Sequence, residues 1–416
     1  MMRELTNEEF RQFSNYYRPS SIYQTPEYAF VMNNQNYTSL FLGLIEQNQI
    51  VGATLILIHK IHGFKYAYAP RGFLLDYRNS TLVKQFTTEL KRYLKKRDVI
   101  AVKLCPIIPK TIKDTKTNIT NSNLEYDMIY TTLKQNNYFH MGYNHYFEAL
   151  KPRYEAIIDM SIPYYEIFGN LKKEVRTKIR SAVDKGIQIY KGNEQNLDYL
   201  YLHVKTKYPR SLKYFQDCYY FFGKSNKIDY YYAKLNTEQY LKRTKQTYEH
   251  LEQKLLKINQ IIQTKDTPKK DILLNRKMKL DREFAHYKEE LIRATNLLAE
   301  YPDGIVTATM LVVRHQDEVT VLMDGYDPKF KSFNAKHLLI WQLIERYANL
   351  GYKRFNLGGM TALDRKENPY QGLNQFKMGF SPKIYEYIGD LELITNHALY
   401  FLYRNAAPIR KLVTKS

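Results

Sequence analysis

Cysteine is scarce in this sequence, and its scarcity narrows the kinds of site that the chain can build. The 416 residues include two cysteines, Cys105 and Cys218, and neither stands in a paired spacing typical of metal ligands. This argues against a disulfide framework and a cysteine-based zinc site, and it is typical of a reducing cytoplasm. His59 and His62 have no acidic or cysteine partners, so we predict no metal site, and no other cofactor is expected.

Long apolar runs are also missing. No stretch approaches the roughly 18 apolar residues that a membrane-spanning helix needs. Residues 1–10 lack the apolar core of a secretion signal and are typical of a capped helix start. We therefore expect a cytoplasmic protein.

Acidic residues are too few to balance the basic ones. The chain has 63 lysines and arginines against 42 aspartates and glutamates, a formal charge of +21. An excess of this size favours polyanionic partners, which are nucleic acid or an anionic membrane face.

The chain is long enough, and at 44% hydrophobic residues apolar enough, for two or more packed domains. A helical pattern at 80–95 lies between runs of β-forming residues, and this combination predicts an α/β or α+β domain. The predicted strands are at 38–45, 50–60, 65–70 and 99–104. Residues 111–123, rich in Thr, Asn and Lys, are predicted to be an exposed loop.

A second α/β unit begins near Tyr154. Its predicted helix is 335–350, which precedes a short strand at 355–357. Its other predicted strands are at 155–160, 305–314 and 319–323. The unit is interrupted between residues 236 and 301 by a segment of different character.

Residues 170–186 predict an amphipathic helix with a basic surface. Its apolar stripe recurs every four residues, and Gly186 is a suitable C-cap. The stripe consists of Leu171, Val175, Ile179 and Val183. The basic side chains are Lys172, Lys173, Arg176, Lys178, Arg180 and Lys185. Such a helix could neutralise RNA phosphates, but an ordinary solvated face explains the same pattern, and both interpretations stay open.

Residues 237–300 carry two heptad segments separated by a polar break that contains Pro268. The first core set is Leu241, Tyr248, Leu251, Leu255, Ile258 and Ile262. The second is Leu273, Leu280, Phe284, Tyr287, Leu291, Ala294 and Leu298. Two segments of similar length with so short a connection predict an antiparallel coiled-coil hairpin that projects roughly 35–40 Å. Its function could be RNA binding, dimerisation or simple projection from the body, and the sequence favours none of the three.

The stretch 355–390 is the strongest candidate for a functional site. A predicted strand ends in Gly358 and Gly359, which permit a sharp turn and a close approach of the backbone to a ligand. A short helical segment then places Lys377 among aromatic residues and glycines. A lysine in such surroundings can be partly desolvated and can stabilise a developing negative charge. A solvated surface lysine is the alternative.

Together these residues resemble the FemABX/MurMN family of non-ribosomal peptidyl transferases, and the resemblance covers nearly the whole chain. Its marks in the first half are Pro70-Arg71-Gly72-Phe73, then Asp76-Tyr77, the basic helix and the inserted hairpin. Its marks in the second half are Phe333-Asn334-Ala335 before a helix with Trp341, Asn356-Leu357-Gly358-Gly359, and Phe376-Lys377 ahead of Glu386-Tyr387-Ile388-Gly389-Asp390.

The resemblance implies a pair of acetyltransferase-like (GNAT-like) domains with an inserted arm. The first domain is expected at 1–150, and the second at 151–236 and 301–391. The coiled-coil arm is expected at 237–300. The tail, 392–416, is expected to pack on the body, with a contact at the inner face of a membrane as the alternative.

The resemblance also implies an activity, with aminoacyl-tRNA as donor and a peptidoglycan precursor, lipid II or UDP-MurNAc-pentapeptide, as acceptor. An amine on the third residue of the stem peptide would attack the aminoacyl ester. Lys377 and its neighbour Phe376 match the family's residues near the tRNA acceptor end, and Lys377 would stabilise charge. Arg210 and Tyr214 match residues that hold the precursor, and Tyr326 matches another substrate-side aromatic. The five basic residues 172, 173, 176, 178 and 180 would contact tRNA.

Two positions depart from the family pattern. Met32 stands where some members carry a substrate-binding lysine, and Cys105-Pro106 stands where many carry Asp-Pro. Both fall in the precursor pocket, so the acceptor's identity is left open.

Two alternatives compete with this interpretation. An acyl-CoA-dependent N-acyltransferase would need a glycine-rich pyrophosphate loop, and the sequence has no good copy of one. A non-catalytic RNA-binding or coiled-coil protein fits the charge and the hairpin but leaves Lys377 and the paired glycines unexplained.

Overall fold

The computed structural model describes the backbone of residues 1–148, 151–206, 208, 210–264, 270–363 and 367–413, and the side chains of all of these except 264, 270 and 406–413. Strands and helices both contribute to the body of the protein. The mixed α/β class predicted from the sequence is confirmed.

The described chain forms sixteen strands and thirteen α-helices. The strands are β1 (Met2–Glu4), β2 (Thr38–Glu46), β3 (Gln49–Ile61), β4 (Phe64–Ala69), β5 (Val99–Leu104), β6 (Pro109–Asp114), β7 (Thr120–Ser122), β8 (Tyr138–His140), β9 (Tyr154–Asp159), β10 (Ile187–Gly192), β11 (Ile228–Leu235), β12 (Ile305–His315), β13 (Glu318–Tyr326), β14 (Arg354–Met360), β15 (Lys383–Tyr387) and β16 (Leu391–Ile394). The helices are α1 (Asn7–Tyr16), α2 (Pro26–Asn33), α3 (Ser80–Lys95), α4 (Tyr126–Gln135), α5 (Tyr164–Asn170), α6 (Lys173–Asp184), α7 (Leu197–Val204), α8 (Leu212–Lys224), α9 (Thr237–Thr264), α10 (Lys270–Glu300), α11 (Ala335–Asn349), α12 (Gln371–Met378) and α13 (His397–Val413).

The strands assemble into two sheets, and each sheet defines one lobe. The first lobe is built on seven strands in the order β1-β2-β3-β4-β5-β16-β8. The second is built on nine in the order β10-β11-β12-β13-β14-β9-β15-β6-β7. The pairs β4–β5 and β13–β14 run parallel. The second lobe is interrupted between β11 and β12 by α9 and α10, where the sequence pattern also changes.

The two lobes exchange strands. The exposed loop predicted at 111–123 is wrong, because β6 pairs with β15 and β7 pairs with β6 at the edge of the second-lobe sheet. The hydroxyl of Thr111 donates to Glu386 Oε2 at 2.7 Å. In return β16 inserts between β5 and β8 of the first lobe. The domain limits inferred from the resemblance stay a prediction, and sheet membership crosses them at both places.

A shared apolar core joins the lobes in addition to the core of each. Phe10, Tyr28 and Leu55 from the first lobe pack in one buried cluster with Phe215 and Tyr230 from the second. Burial of apolar surface at such a seam favours a fixed arrangement of the two sheets. Sites that draw residues from both lobes are therefore held by packing as well as by the exchanged strands.

The basic helix α6 follows its predicted pattern with one error. Leu171, Val175 and Ile179 are buried as expected. Val183 is 46% exposed, and the fully buried Ala182 takes its place on the packed face. The reason is that residues four apart drift around a helix of 3.6 residues per turn, so a strict four-residue spacing leaves the packed face after three turns. Gly186 has φ +81°, as a C-cap glycine should.

Helices α9 and α10 form the predicted hairpin, which we call the arm. The hydroxyl of Tyr240 bonds to Glu290, and the rings of Tyr248 and Phe284 stack at 4.8 Å, so the helices run antiparallel. Helix α9 has 28 residues, which gives a length of about 40 Å at 1.5 Å per residue. The predicted turn at 265–269, with Pro268, lies outside the described residues. At the base, the Thr237 hydroxyl donates to the carbonyl of Tyr301 at 2.7 Å, so the arm leaves and re-enters the body at one point.

The chain after β16 stays on the first lobe. The Tyr400 hydroxyl donates to Glu392 at 2.7 Å, and the ring of Tyr403 lies 5.8 Å from that of Phe64. Phe401 and Leu402 on the same helix are 68% and 54% exposed. Within the described part of the chain, no helix combines the length and the apolar content of a membrane span.

Phe355 provides a test of the packing beneath the candidate site. Its side chain is fully buried on β14, with its ring 6.4 Å from that of Tyr347 on α11. We expect Phe355→Ala to lower the free energy of unfolding by about 3–5 kcal/mol, because it leaves a cavity in the second-lobe core. Urea denaturation followed by circular dichroism measures the change. Leu350→Ala, at a residue 59% exposed, is the control and should cost less than about 0.5 kcal/mol. Equal losses for the two variants would contradict this packing.

Candidate active site

The centre of the site is the ammonium group of Lys377, which lies against the end of strand β14. A bulge between Asn356 and Gly359 adds one residue to β14 relative to its partner β9. Gly358 within the bulge has φ +79°, a conformation that strains any other L-residue. The bulge presents the carbonyl of Gly359 to helix α12, and Lys377 Nζ donates to that oxygen at 2.6 Å. The paired glycines and the lysine, which the sequence singled out separately, therefore form one unit.

Lys377 is buried, and burial changes its acidity. Its side chain is 7% exposed. Burial lowers the pKa of Lys377 from 10.5 to about 8; the nearby charge of Lys336 adds to this, while Asp324 and Glu155 act in the opposite direction. At neutral pH the group is still mostly an ammonium ion, but a poorly hydrated one. An ion of this kind interacts strongly with any negative charge that forms beside it.

Asn356 holds the bulge in place. Its side-chain oxygen accepts the backbone N–H of Gly358 at 2.8 Å. Its amide group donates to Glu155 Oε2 at 3.0 Å and to Glu318 Oε1 at 3.2 Å. Burial raises the pKa of Glu318, and the neighbouring charge of Glu155 adds to the rise. The amide of asparagine has two N–H donors and one oxygen acceptor, so a single side chain can donate to both carboxylates while it accepts from the backbone.

Arg71 extends this network into the first lobe. Its guanidinium donates to Glu155 Oε1 at 2.6 Å and to the carbonyl of Pro152 at 2.7 Å, and it lies 4.7 Å from the ring centre of Tyr387. Burial by itself would raise the pKa of Glu155, but Arg71 and the Asn356 amide outweigh it and lower that pKa. Arg71, Glu155 and Asn356 thus connect the first lobe to the carbonyl that holds Lys377.

Helix α12 is fixed in its middle and at its end. In its middle, the Asn374 side chain accepts from the backbone N–H of Thr361 at 3.1 Å and donates to the Thr361 carbonyl at 3.1 Å. At its end, the N–H of Lys172 donates to the carbonyl of Gly379 at 3.0 Å. A Cβ atom at Gly379 would lie 2.5 Å from Val175 Cγ2, so only glycine allows α6 to pack this closely. The position of Lys377 therefore depends on the contacts that α12 and Gly379 make with Thr361, Lys172 and Val175.

A cavity of about 420 Å³ lies beside this lysine, between β13, α11 and α12. Phe376 and Tyr326 contribute to its wall, together with Asp324 and Lys336, whose carboxylate and ammonium are 2.7 Å apart. Lys336 Nζ also lies 4.7 Å from the ring centre of Phe376. A volume of this size is typical of a small-ligand site.

His337 forms part of the same wall and is held neutral. Its ring lies edge-on to that of Phe376 at 4.9 Å and is stacked on Phe380 at 6.1 Å. Burial lowers the pKa of His337 to about 4, and the charges of Lys178 and Lys336 add to the effect. The imidazole carries no charge near pH 7, so the cations of this wall are lysines.

A second cluster contains Arg210 and Tyr214. The guanidinium of Arg210 lies 4.8 Å from the ring centre of Tyr214, which is buried at the start of α8. Lys151 reaches the same region, with its Nζ 3.1 Å from the ring centre of Tyr23. Burial lowers the pKa of Lys151 to about 7. The charges of Arg71 and Arg210 also lower this pKa, whereas Cys105 and Glu155 act in the opposite direction. No ion pair of Arg210 or Lys151 occurs among the residues that the structure describes.

The predicted RNA-contacting residues lie on α6, next to the site. Lys172, Lys173, Lys178 and Arg180 are exposed. Arg176 is half-buried and donates to the carbonyl of Leu171 at 2.9 Å, so part of its function is to cap the preceding turn. Lys178 is close enough to His337 for its charge to lower the pKa of that ring. One residue of the basic face, Lys178, thus lies near His337 of the cavity wall.

The structure therefore groups the predicted residues into two places. Phe376 and Tyr326 line the cavity, and Lys377 lies behind that wall against the Gly359 carbonyl. Arg210 and Tyr214 lie in the second cluster. Sequence reasoning missed Lys336 and His337, although they directly follow the marked Phe333-Asn334-Ala335. It also missed Glu155 and Lys151, and no pattern around either residue could have indicated them. No cluster of metal-binding side chains occurs in the described ranges.

Comparisons with known proteins agree with this architecture. The sequence model of the FemAB family matches residues 5–407. Aminoacyltransferase FemA of Staphylococcus epidermidis is 22% identical over 377 residues, 88% of each chain. Aminoacyltransferase FemA of Staphylococcus aureus is 23% identical over 411 residues, 96% of each chain. The crystal structure of FemX superposes with a TM-score of 0.74 at 18% identity, over 97% of this chain and 99% of FemX. The family resemblance and the fold class predicted from the sequence are both confirmed.

We predict that Lys377 titrates near pH 8, because burial penalises its ammonium form. Carbon-13 NMR of protein labelled at the lysine Cε atoms measures the midpoint, and loss of the signal in Lys377→Met assigns it. A midpoint near the ordinary 10.5 would show that the amine is solvated.

Asn356→Ala should move the Lys377 midpoint below that of the wild type. Without Asn356 the Gly359 carbonyl is no longer held in place, and a carbonyl that accepts from an ammonium stabilises the charged form. Asn349→Ala, at an exposed position on α11, is the matched control and should leave the midpoint unchanged. If Asn356→Ala also leaves it unchanged, the network does not position Lys377.

Proposed function

This chain belongs to the FemAB family and is an aminoacyltransferase, and we propose that it builds the interpeptide bridge of peptidoglycan. In this proposal it takes an amino acid from aminoacyl-tRNA and transfers it to the side-chain amine of the third stem-peptide residue of a precursor. The acceptor we propose is lipid II, with UDP-MurNAc-pentapeptide as the alternative. The observation that carries the proposal is the buried ammonium of Lys377, which directly follows Phe376 of the wall of a ligand-sized cavity.

The reaction needs positioning and charge stabilisation more than a covalent intermediate, because the donor ester is already activated. The amine nitrogen attacks the ester carbonyl carbon, and a C–N bond forms. The C–O bond to the ribose then breaks, and the ribose oxygen takes up the proton that the attacking amine releases. In between, the carbonyl oxygen carries negative charge, which a poorly hydrated ammonium stabilises better than water does. We assign this function to Lys377.

The cluster of Arg210, Tyr214 and Lys151 supports the acceptor assignment. Arg210 has the fork geometry that binds phosphate oxygens in pairs. Lys151, whose amine is partly protonated near pH 7, brings further positive charge to a region where Met32 replaces the lysine that some family members carry. Met32 is itself buried in the apolar core shared by the two lobes. A diphosphate linked to a muramyl peptide is an anion of suitable charge for such a pair of cations.

The donor assignment is supported by the basic face of α6 and by the arm. The exposed residues Lys172, Lys173, Lys178 and Arg180, with the half-buried Arg176, lie on or just before α6, which packs against the end of α12 at Gly379. RNA phosphates bound there would lead a 3′ end towards Lys377. The arm projects about 40 Å and could reach the body of a tRNA.

The proposed acceptor also suggests where the protein acts. A lipid-linked precursor would bring the protein from the cytoplasm to the inner face of the membrane. The exposed Phe401 and Leu402 of α13 are apolar side chains suited to a peripheral contact.

Lys377→Met should reduce kcat by about 10²- to 10³-fold and change the KM for the precursor by less than about threefold. The reason is that the negative charge stabilised by Lys377 exists mainly in the transition state. Transfer from charged tRNA to lipid II, followed by mass spectrometry, measures both constants. The wild-type rate should fall as pH rises through about 8, where the ammonium is lost.

Lys95→Met, at an exposed position on α3, is the control for this substitution and should match the wild type. A large rise in KM with kcat unchanged would contradict the function of Lys377. Dependence on acetyl-CoA instead of tRNA would favour the acyl-CoA alternative, and no transfer from any donor would favour a non-catalytic RNA-binding protein.

Replacing residues 246–286 with a short glycine-serine turn should lower kcat/KM for full-length charged tRNA by about tenfold or more, since RNA contacts on the arm are lost. The base of the arm, including the Tyr240–Glu290 bond, is kept so that the body stays folded. A charged minihelix that contains only the acceptor stem is the matched control substrate, and both proteins should use it equally. Equal use of full-length tRNA would show that the arm has another function.

A further inference from the structure

We propose that Asp324 binds the α-ammonium group of the donor's aminoacyl ester, and that it thereby selects α-amino esters over other acyl esters. This inference rests on the proposed function, since it concerns the donor of that reaction. It assigns a ligand group to the cavity beside Lys377, and it makes Asp324 a specificity residue.

The first argument is the charge of the substrate. The α-ammonium of an aminoacyl ester is two bonds from the carbonyl carbon, and an α-amino group with an ordinary pKa of about 8 is largely protonated at pH 7. If Lys377 stabilises the oxygen on that carbon, the two ammonium groups must lie within a few ångströms of each other. Like charges at such a distance repel strongly in a poorly hydrated site. The site must therefore supply a carboxylate.

The second argument concerns which carboxylates are near Lys377. Asp324 and Glu155 are the two whose charges raise its pKa, and Asp324 has the larger effect. Glu155 accepts hydrogen bonds from Arg71, Asn356 and Tyr387 and is not among the residues that line the cavity. Asp324 is 23% exposed and lines the cavity. Among the described residues of the cavity wall, it carries the one carboxylate.

The third argument is that Asp324 is held in position for a ligand. Lys336 Nζ contacts its Oδ1 at 2.7 Å, and the same ammonium lies over the ring of Phe376 at 4.7 Å. The next residue, Gly325, lies so close to α7 that a Cβ atom there would be 2.5 Å from His203 Cβ. These contacts fix both the side chain and the backbone of Asp324 on β13.

The surroundings of Asp324 suit a small cation. Tyr208, Tyr326 and Phe376 form part of the wall, and the faces of aromatic rings attract cations. Burial raises the pKa of Tyr208, and the charge of Asp324 adds to the rise. An ammonium bound here would meet the carboxylate of Asp324 and the three aromatic rings, in a wall that also contains Lys331 and Lys336.

The test compares two donors that differ in one group. One is aminoacyl-tRNA, and the other is the same tRNA esterified with the matching α-hydroxy acid, which has no positive charge but still forms an amide with the acceptor. Wild-type protein should prefer the amino donor by on the order of 10- to 100-fold in kcat/KM, as expected for a charge-assisted hydrogen bond. Asp324→Asn should reduce this preference to less than about threefold, through loss of activity with the amino donor alone.

Matched variants separate this effect from a structural one. Asp327→Asn, at the residue that follows β13, keeps the side-chain oxygen that accepts the N–H of Lys329 and should retain the wild-type preference. Asp324→Glu keeps the charge and should retain part of the preference. Thermal melting of Asp324→Asn checks that it is folded, and the wild-type preference is informative even without that variant.

The outcomes are distinct. Equal loss with both donors in Asp324→Asn would overturn the inference and show that Asp324 acts only through Lys336 or Lys377. Equal use of both donors by the wild type would overturn it as well, while leaving tRNA-dependent transfer intact. If the wild type uses neither donor, the proposed function itself fails.

Discussion

The structure is organised around the hydrogen bond between the Lys377 ammonium and the Gly359 carbonyl. The amine of a buried lysine needs a polar partner, and the bulge in β14 supplies one by turning a single backbone oxygen towards α12. The bulge requires glycine at 358, where φ is +79°. It also requires the side chain of Asn356, which accepts the N–H of Gly358 and is itself held between two carboxylates. A charged group can persist in this interior because its acceptor is positioned by several other contacts.

The two lobes contribute unequally to this arrangement. The second lobe supplies the strand, the helix and the cavity, whereas the first lobe supplies Arg71, which reaches across the seam to Glu155. Two features hold the lobes in a fixed arrangement and so keep Arg71 beside Glu155. The lobes exchange β6, β7 and β16, and they share an apolar core. The motif around Arg71 thus belongs to the same network as Lys377, although it lies in the other lobe.

Local pattern and distant pairing explain what the sequence could and could not predict. The hairpin was predicted because its heptad pattern is local. Both ends of α3 were predicted correctly because its apolar spacing is regular. Strand β6 was missed because its segment is polar and its partner, β15, lies some 270 residues away. Val183 was misplaced because a four-residue spacing drifts off the packed face. Lys377 was predicted from its glycines and aromatics, but the pairing of Asp324 with Lys336 depends on how β13 and α11 meet, which no local spacing encodes.

The central claim is that Lys377 recognises the negative oxygen of a tetrahedral intermediate. The most direct test is the binding of a phosphonate analogue of the aminoacyl ester, a stable tetrahedral anion, compared with a neutral amide analogue of the same donor. Calorimetry with wild-type protein and Lys377→Met would give the four affinities. The account predicts that the phosphonate binds the wild type much more tightly than the amide does, and that this advantage is lost in Lys377→Met. An advantage of equal size in both proteins would contradict it.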